Sequence, residues 1–474
     1  MLLPWLQAAL AKSQVFVLIY LLGLNFFYFV LFVISIGSIL RHVHRMSYRD
    51  LDEIAQSHLA PPISIIVPAY NEAVSVVSSV KSLFQLNYSE FEIIVINDGS
   101  TDDTLEKLIQ AFKLSKTKRI YHQTIDTRDV RGIYASKLAV PWAELVVVDK
   151  ENGGKADALN AGINVSKYPL FCSVDADSML ERDALLRVAL PFMERAGVVG
   201  VGGIVRVANG CFISHGVVRS VRLPRQWLPC FQAVEYLRAF LSGRIAWARM
   251  NSLPVLSGAF SLFRKAPVVQ VKGYDRTTVG EDMELVVRLQ HELRGKGQAC
   301  DIDFIPDPVC WTEVPEKLSM LWRQRNRWQR GLAQSLYRHL PMLLNPRFGL
   351  LGVVVMPYFW FVELMSPLME VFGYFVLLAA FCLGSLQWKV VAAFLLLTVA
   401  MGINLSLLSI LLEEFTLHRY PRVRDLMTLS LSSILENLGY RQMLALARLV
   451  GMLDAFRAGN PWGFLERQGL DKAD

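Results

Sequence analysis

Residues 15–40 (VFVLIYLLGLNFFYFVLFVISIGSIL) carry no charged side chain, and this run restricts the fold more than any other stretch of the chain. At 1.5 Å rise per residue, a helix of that length exceeds the roughly 30 Å hydrocarbon core of a bilayer. Backbone polar groups in hydrocarbon must be satisfied internally, so a single buried segment has to be helical. A signal peptide has a shorter apolar region, about 7–15 residues, ending at small residues. Here the run stops at Arg41-His42-Val43-His44-Arg45, so it reads as an uncleaved anchor. Only Lys12 precedes it, which places the arginine side, and the chain that follows, in the cytoplasm at the inner or plasma membrane.

A second apolar region covers 349–412, interrupted near Pro367 and at Gly384–Lys389. It predicts at least two spans, near 357–383 and 390–412, with 349–356 either an entry helix or part of another span. Residues 426–453 are apolar but contain Glu436, Arg441 and Arg448, leaving a span and an amphipathic surface helix both open. Glu363 and Glu370 lie inside apolar segments. Charge at membrane depth costs several kcal/mol, about 2.5–3.5 on insertion scales, so such groups face protein or a water-filled path. They line a conduit or they bond neighbouring helices.

The net charge of +7 does not point to nucleic acid, because the arginines flank apolar segments and no nucleic-acid motif is present. Membrane lipids are the expected partner of that charge. The six cysteines have no CxxC spacing, which excludes a readable zinc set or disulfide framework.

Between the apolar ends, from about residue 61, short apolar runs alternate with helical segments. Ile63–Val67, Glu92–Ile96, Leu145–Val148 and Leu170–Val174 predict buried strands; 72–86, 101–113 and 155–165 predict helices. This alternation implies an α/β domain with a Rossmann-like mixed sheet, mostly parallel and covered on both faces. Ligands of such sheets bind beyond the carboxyl ends of the strands. Pro68-Ala69-Tyr70-Asn71-Glu72, Asn97-Asp98-Gly99-Ser100 and Asp175-Ala176-Asp177 all fall at those ends.

Each motif has its own chemistry. Asp98 at a strand end can accept a uracil N–H, or the Asp98–Thr101 stretch is simply a turn and helix cap. Asp175 and Asp177 offer hard oxygen ligands to Mg2+ or Mn2+, whose shell a diphosphate completes. Asn152-Gly153-Gly154-Lys155 opens a helix, where free N–H groups and Lys155 meet phosphate or sugar hydroxyls, or else form an ordinary helix start. Gly280-Glu281-Asp282 leads into another helix. Asp282 is the candidate general base for a hydroxyl nucleophile, with Glu281 orienting it, binding the acceptor or capping the helix. Gln324-Arg325-Asn326-Arg327-Trp328 sits in a basic amphipathic stretch, 319–339, suited to a membrane surface. Arg327 there can reach a diphosphate, and Trp328 offers a flat face to an acceptor sugar.

With these motifs in this order, the chain resembles the membrane-integrated, inverting family 2 glycosyltransferases of GT-A fold, whose processive members make poly-N-acetylglucosamine, chitin oligosaccharide, hyaluronan and cellulose. The resemblance runs from about Pro61 to Gly331. It implies that Asp98 and Asp175 contact the uridine of the donor, Asp177 the metal, and that Asp282 is the base. It also implies that Gln324, Arg327 and Trp328 border the diphosphate and acceptor end, and that Ser257-Gly258-Ala259 lies beside the donor sugar. Pro68, Tyr70, Glu72 and Lys155 are grouped with the nucleotide-sugar contacts. Trp462–Arg467 resembles a terminal element of the poly-N-acetylglucosamine group. Asn97 at the second strand, Gly280 where threonine is common, and a single leading span depart from the pattern.

The expected organisation is an anchor at 1–41, a cytoplasmic GT-A domain at 42–316, and an interfacial helix at 317–346. Membrane and interfacial helices follow at 347–456, then a tail at 457–474. The implied reaction takes a UDP-sugar, with UDP-N-acetylglucosamine ahead of UDP-glucose, and extends a β-linked polysaccharide fed outward through the bundle. Transfer of one or two sugars to a membrane lipid is the alternative, and a separate secretion partner stays open.

Overall fold

The computed structural model describes residues 4–48, 51, 60–136, 143–214, 217–420 and 422–457; Trp462–Arg467 lies outside the described residues. The strands are β1 (Ile63–Ala69), β2 (Phe91–Asp98), β3 (Leu114–Thr117), β4 (Val130–Ser136), β5 (Ala143–Lys150), β6 (Leu170–Val174), β7 (Ser178–Leu180), β8 (Val198–Val207), β9 (Phe212–Ser214), β10 (Val217–Ser220), β11 (Phe260–Arg264) and β12 (Asp301–Thr312). Ten of them form one sheet in the order β3-β4-β5-β2-β1-β6-β11-β8-β12-β7, and β9 and β10 form a separate hairpin.

The four predicted strands are its centre. Branched apolar runs such as Ile93-Ile94-Val95-Ile96 are buried on both faces, as a parallel sheet flanked by helices requires. β5, β2, β1 and β6 accordingly run parallel. The sheet as a whole is mixed, as expected: β3, β4, β7 and β11 each pair antiparallel with their neighbours. Within the central layer Glu92 is fully buried. Its carboxylate is satisfied by Ser64 Oγ at 2.6 Å, Arg119 Nη2 at 2.7 Å and the Lys167 amide at 2.8 Å, which removes the usual objection to a charge there.

The first helix runs from Pro4 to Met46, well beyond the uncharged run at both ends. Among the described residues, Trp5–Met46 and Trp388–Thr416 are long and apolar enough to cross a membrane. A third element, Leu351–Leu364 with Ser366–Cys382, bends by 43° beside Pro367, the site of the predicted interruption. Residues 426–453 are not one span. Helices Val423–Leu435 and Tyr440–Asp454 are separated at Glu436, whose carboxylate accepts from Arg238 Nη1 at 2.7 Å. Each lies against a helix of the sheet-bearing part, Trp227–Arg238 and Leu318–Arg338 respectively.

Two contacts tie the sheet-bearing part to the helices that follow it. Arg206 of β8 and Glu413 of the 388–416 segment form an ion pair with side chains only 2% and 0% exposed. Gly451 lies so close to Asn326 that a Cβ there would meet its carbonyl oxygen at 2.5 Å. Helix Leu318–Arg338 is thereby held between the sheet and the bundle.

Candidate functional site

Beyond the carboxyl end of β6 opens a cavity of about 470 Å³. β6 delivers Asp175, whose carbonyl accepts from the Ser178 amide at 3.0 Å. That tight turn brings both Asp175 and Asp177 to the cavity wall, with Asp177 8% exposed. Helix Lys155–Val165 begins opposite and contributes Lys155, whose ammonium pairs with Asp175. Burial works against the Lys155 charge, but Asp175, Glu281 and Asp282 more than offset it and its pKa is raised.

Ser257 and Gly258 form the next part of the wall. The Gly258 amide donates to Asp282 Oδ2 at 3.2 Å, and the Asp282 Oδ1 atom accepts from Met283 N at 2.8 Å. Asp282 sits in the first turn of helix Glu281–Gly295, where helix N–H groups favour negative charge. Gln324, Arg327 and Trp328 enter from helix Leu318–Arg338. The Gln324 Oε1 atom is buried with no hydrogen-bond partner among the described residues. Trp328 is 44% exposed, and the Arg325 guanidinium lies 4.2 Å from its ring centroid. Arg325 is in turn held by Glu235 at 2.8 Å.

The two helices carrying these groups cross at a pair of glycines. A Cβ on Gly331 would lie 2.6 Å from Gly280 Cα, and one on Gly280 would lie 2.7 Å from Gly331 Cα. Neither position has room for a side chain.

Four of the sequence-predicted residues do not line the cavity. Asp98 ends β2 with its carboxylate buried: Oδ1 accepts from Lys150 Nζ at 2.6 Å and Gly153 N at 3.0 Å, and Oδ2 from Gly154 N at 2.7 Å. Burial raises its pKa, with Lys150 and the two amides opposing. Asp98 thus clamps the glycine turn that presents Lys155. Pro68 lies within β1, paired with Ile96 of β2, and Tyr70 and Glu72 follow in the loop after that strand. Their loop is tied to the turn after β2 through Glu72 N to Thr104 Oγ1 at 2.9 Å and Thr101 N to Asn71 Oδ1 at 2.8 Å.

The sequence reading missed Glu235, Tyr236 and Arg244, which line the cavity from Trp227–Arg238 and its wide-turned continuation Ala239–Arg244. Burial lowers the Arg244 pKa to about 10 despite the pull of Asp282, so it stays charged. The available signal was the charges Glu235, Arg238 and Arg244 interrupting an otherwise apolar helical stretch. Glu235, Arg244 and Trp328 also border a second cavity, of about 450 Å³, between the membrane helices. Glu363 and Glu370 face that second space. They also accept from Tyr358 at 2.8 Å and Tyr374 at 3.0 Å, neighbours four or five residues away in the same helical segments, and Arg448 of helix Tyr440–Asp454 lies 3.7 Å from Glu363.

Burial pushes Glu281 up to about 7; Asp282 adds to this, while Lys155 and Arg327 oppose it. The folded donor-free protein therefore keeps this proton to about pH 7, whereas the unfolded chain releases it near 4.5. The stability this proton supplies is complete below the unfolded value and is lost as pH rises through the folded one. Glu281→Gln is expected to flatten the fall in melting temperature between about pH 5 and 8 and to melt above the parent at pH 8. An unchanged slope would show that Glu281 titrates as an ordinary carboxyl.

Comparison with known proteins gives the following. The family profile "Glycosyl transferase family 2" matches residues 64–130, and "Glycosyltransferase like family 2" matches 122–331. A poly-beta-1,6-N-acetyl-D-glucosamine synthase of Staphylococcus aureus (strain COL) is 28% identical over 277 residues, 58% of this chain and 56% of that protein. The synthase of the same name from Staphylococcus epidermidis is 29% identical over 277 residues, with the same coverage. The match thus spans little more than half the length of these relatives. A solved mannosyltransferase from Pyrobaculum calidifontis, in complex with GDP-Man and Mn2+, superposes with a TM-score of 0.51 at 19% identity. It covers 88% of this chain and 99% of its own.

Proposed function

Since this chain belongs to the family 2 glycosyltransferases, with a GT-A fold joined to membrane helices, we propose that it moves a sugar from a UDP donor onto a growing β-linked polysaccharide. The observation that carries this reading is the meeting of Asp175, Asp177, Lys155, Asp282, Arg327 and Trp328 around one cavity that shares a wall with the space between the membrane helices.

The donor diphosphate lies by Lys155 and Arg327, and the uridine extends along the sheet edge toward Asp98, Tyr70 and Glu72. Asp177, with Asp175, suits Mg2+ or Mn2+. Among the described residues no three His, Cys, Asp or Glu side chains form a complete shell, so diphosphate and water oxygens supply the remainder. An ion held by Asp177 and Asp175 would supply positive charge against the departing UDP. The acceptor hydroxyl oxygen bonds to the anomeric carbon from the side opposite the diphosphate. As that bond forms, the carbon–oxygen bond to UDP breaks, the hydroxyl proton passes to the Asp282 carboxylate, and the configuration inverts. Trp328 stacks the acceptor sugar, with Gln324 beside it, and Glu281 supports the base.

UDP-N-acetylglucosamine is the favoured donor, in keeping with the Staphylococcus relatives, and UDP-glucose is second. The catalytic domain faces the cytoplasm at the inner or plasma membrane, on the arginine side of the first span. The polymer leaves along the cavity lined by Glu363 and Glu370.

Purified protein with Mg2+ or Mn2+ and each UDP-sugar in turn should release UDP and build a long polymer with one donor. A chloroform-soluble product bearing one or two sugars would replace this reading with transfer to a lipid; no UDP release with any donor would remove it. Trp328→Ala is expected to shorten the products markedly, because aromatic stacking on a sugar-like ring is worth on the order of 1 kcal/mol or more and retention between additions depends on it. Unchanged product length would mean that the acceptor rests elsewhere.

A further inference from the structure

The first helix ends at a cavity separate from the one described above, of about 500 Å³, between the 38–46 turns, helix Ala184–Glu194, residues 245–251 and the middle of β12. Five arginines and three acidic residues, Glu194, Asp303 and Asp307, line it, and the two acids on β12 are already matched. Asp307 pairs with Arg187 and, at 3.0 Å, with His42, while Asp303 pairs with Arg195. Three more arginines line it: Arg41, Arg45 and Arg249, all exposed, and none forms an ion pair among the described residues. Ile245, Phe304 and Ile305 supply an apolar wall.

Position gives this charge its meaning. The uncharged run ends at residue 40 and Arg41 follows directly, so the mouth lies where the hydrocarbon of the bilayer gives way to headgroups. A recess with surplus guanidinium groups matches a phosphodiester in charge and geometry, since arginine binds phosphate through paired N–H donors. We propose that this cavity holds the headgroup phosphate of an anionic glycerophospholipid, at a site built between the first span and the sheet. The inference requires that helix 5–46 cross a membrane and does not depend on the donor or product assigned above.

The full chain, purified and placed in nanodiscs of phosphatidylcholine with a minor share of phosphatidylglycerol, should be released by gentle detergent with one phosphatidylglycerol retained, as read by native mass spectrometry. Arg41→Gln with Arg249→Gln should weaken that retention by about thirtyfold, given the usual contribution of each basic residue near an anionic surface. Arg45→Gln with Arg249→Gln provides a second pair should the first fold poorly. Arg422→Gln with Arg424→Gln removes two exposed charges outside the cavity and should leave retention unchanged. Equal losses in the cavity and control pairs would reduce the effect to general surface charge and overturn the site. Retention of phosphatidylcholine as often as phosphatidylglycerol would overturn it too. Displacement by millimolar inorganic phosphate would assign the recess to a soluble anion and overturn the lipid as its occupant.

Discussion

Asp282→Asn is expected to abolish sugar transfer while leaving UDP binding close to that of the parent. Asparagine keeps the size of the side chain, and its one oxygen can still accept from either Gly258 N or Met283 N, the two amides that orient Asp282. What it lacks is a carboxylate able to take a proton. General-base contributions amount to about 10²–10⁴ in rate, so the residual rate should fall to that fraction or lower. Donor affinity should survive because the groups proposed for the diphosphate and metal, Lys155, Asp175, Asp177 and Arg327, are untouched. Released UDP measures the first quantity, and calorimetric titration with UDP and Mn2+ the second. Asp177→Ala should show the converse, with metal-dependent UDP binding lost first. Near-normal transfer by Asp282→Asn would remove Asp282 as the base and direct attention to Glu281, whose raised pKa suits it to exchange a proton near neutrality.

The parts of this molecule that the sequence discloses are those set by local pattern. The four central strands are largely apolar runs buried on both faces, as a doubly covered sheet requires, and Asp175-Ala176-Asp177 is positioned by the strand it follows. The long uncharged run at 15–40 admits no conformation but a helix. What depends on partners distant in the chain is not legible in this way. Asp98 could be read as a nucleotide contact or as a turn residue. The outcome in this structure depends on Lys150, Gly153 and Gly154, more than fifty residues on, which occupy its carboxylate. Arg244 and Glu235 belong to a helical stretch whose apolar content masks its role, because a charge in such a stretch acquires meaning only once the cavity beside it exists. The antiparallel strands β3, β4, β7 and β11 carry too few residues, or too mixed a pattern, to reveal their direction.

The proposed base and acceptor platform also lie on different helices, so the site depends on how those helices meet. Helix Glu281–Gly295 carries Asp282 one residue from its start, and helix Leu318–Arg338 carries Arg327 and Trp328 about one turn before Gly331. The Gly280–Gly331 contact sets the distance between the two groups, and nothing in a basic helix containing one glycine announces that role. Read alone, Gly331 is a residue that weakens its helix by about 1 kcal/mol relative to alanine. Gly331→Ala should therefore improve local helix propensity and still harm the enzyme. The new Cβ would meet Gly280 Cα at 2.6 Å, backbone against side chain, and neither helix has a flexible group there to move aside. The helices must separate, which draws Asp282 away from an acceptor stacked on Trp328. Misplacement of reacting groups by about 1 Å costs on the order of 10²-fold in rate. Transfer should drop by about that factor while UDP binding falls less, because of its proposed contacts only Arg327 lies on the displaced helix and those of β6 and helix Lys155–Val165 stay in place. The melting temperature separates this from simple unfolding: a folded variant with intact UDP binding and a hundredfold slower transfer supports the crossing as the element that aligns base and acceptor. A Gly331→Ala enzyme of normal rate would mean that the two helices can part without moving the reacting groups, and that their alignment is fixed by the wall at Ser257 and Gly258 instead.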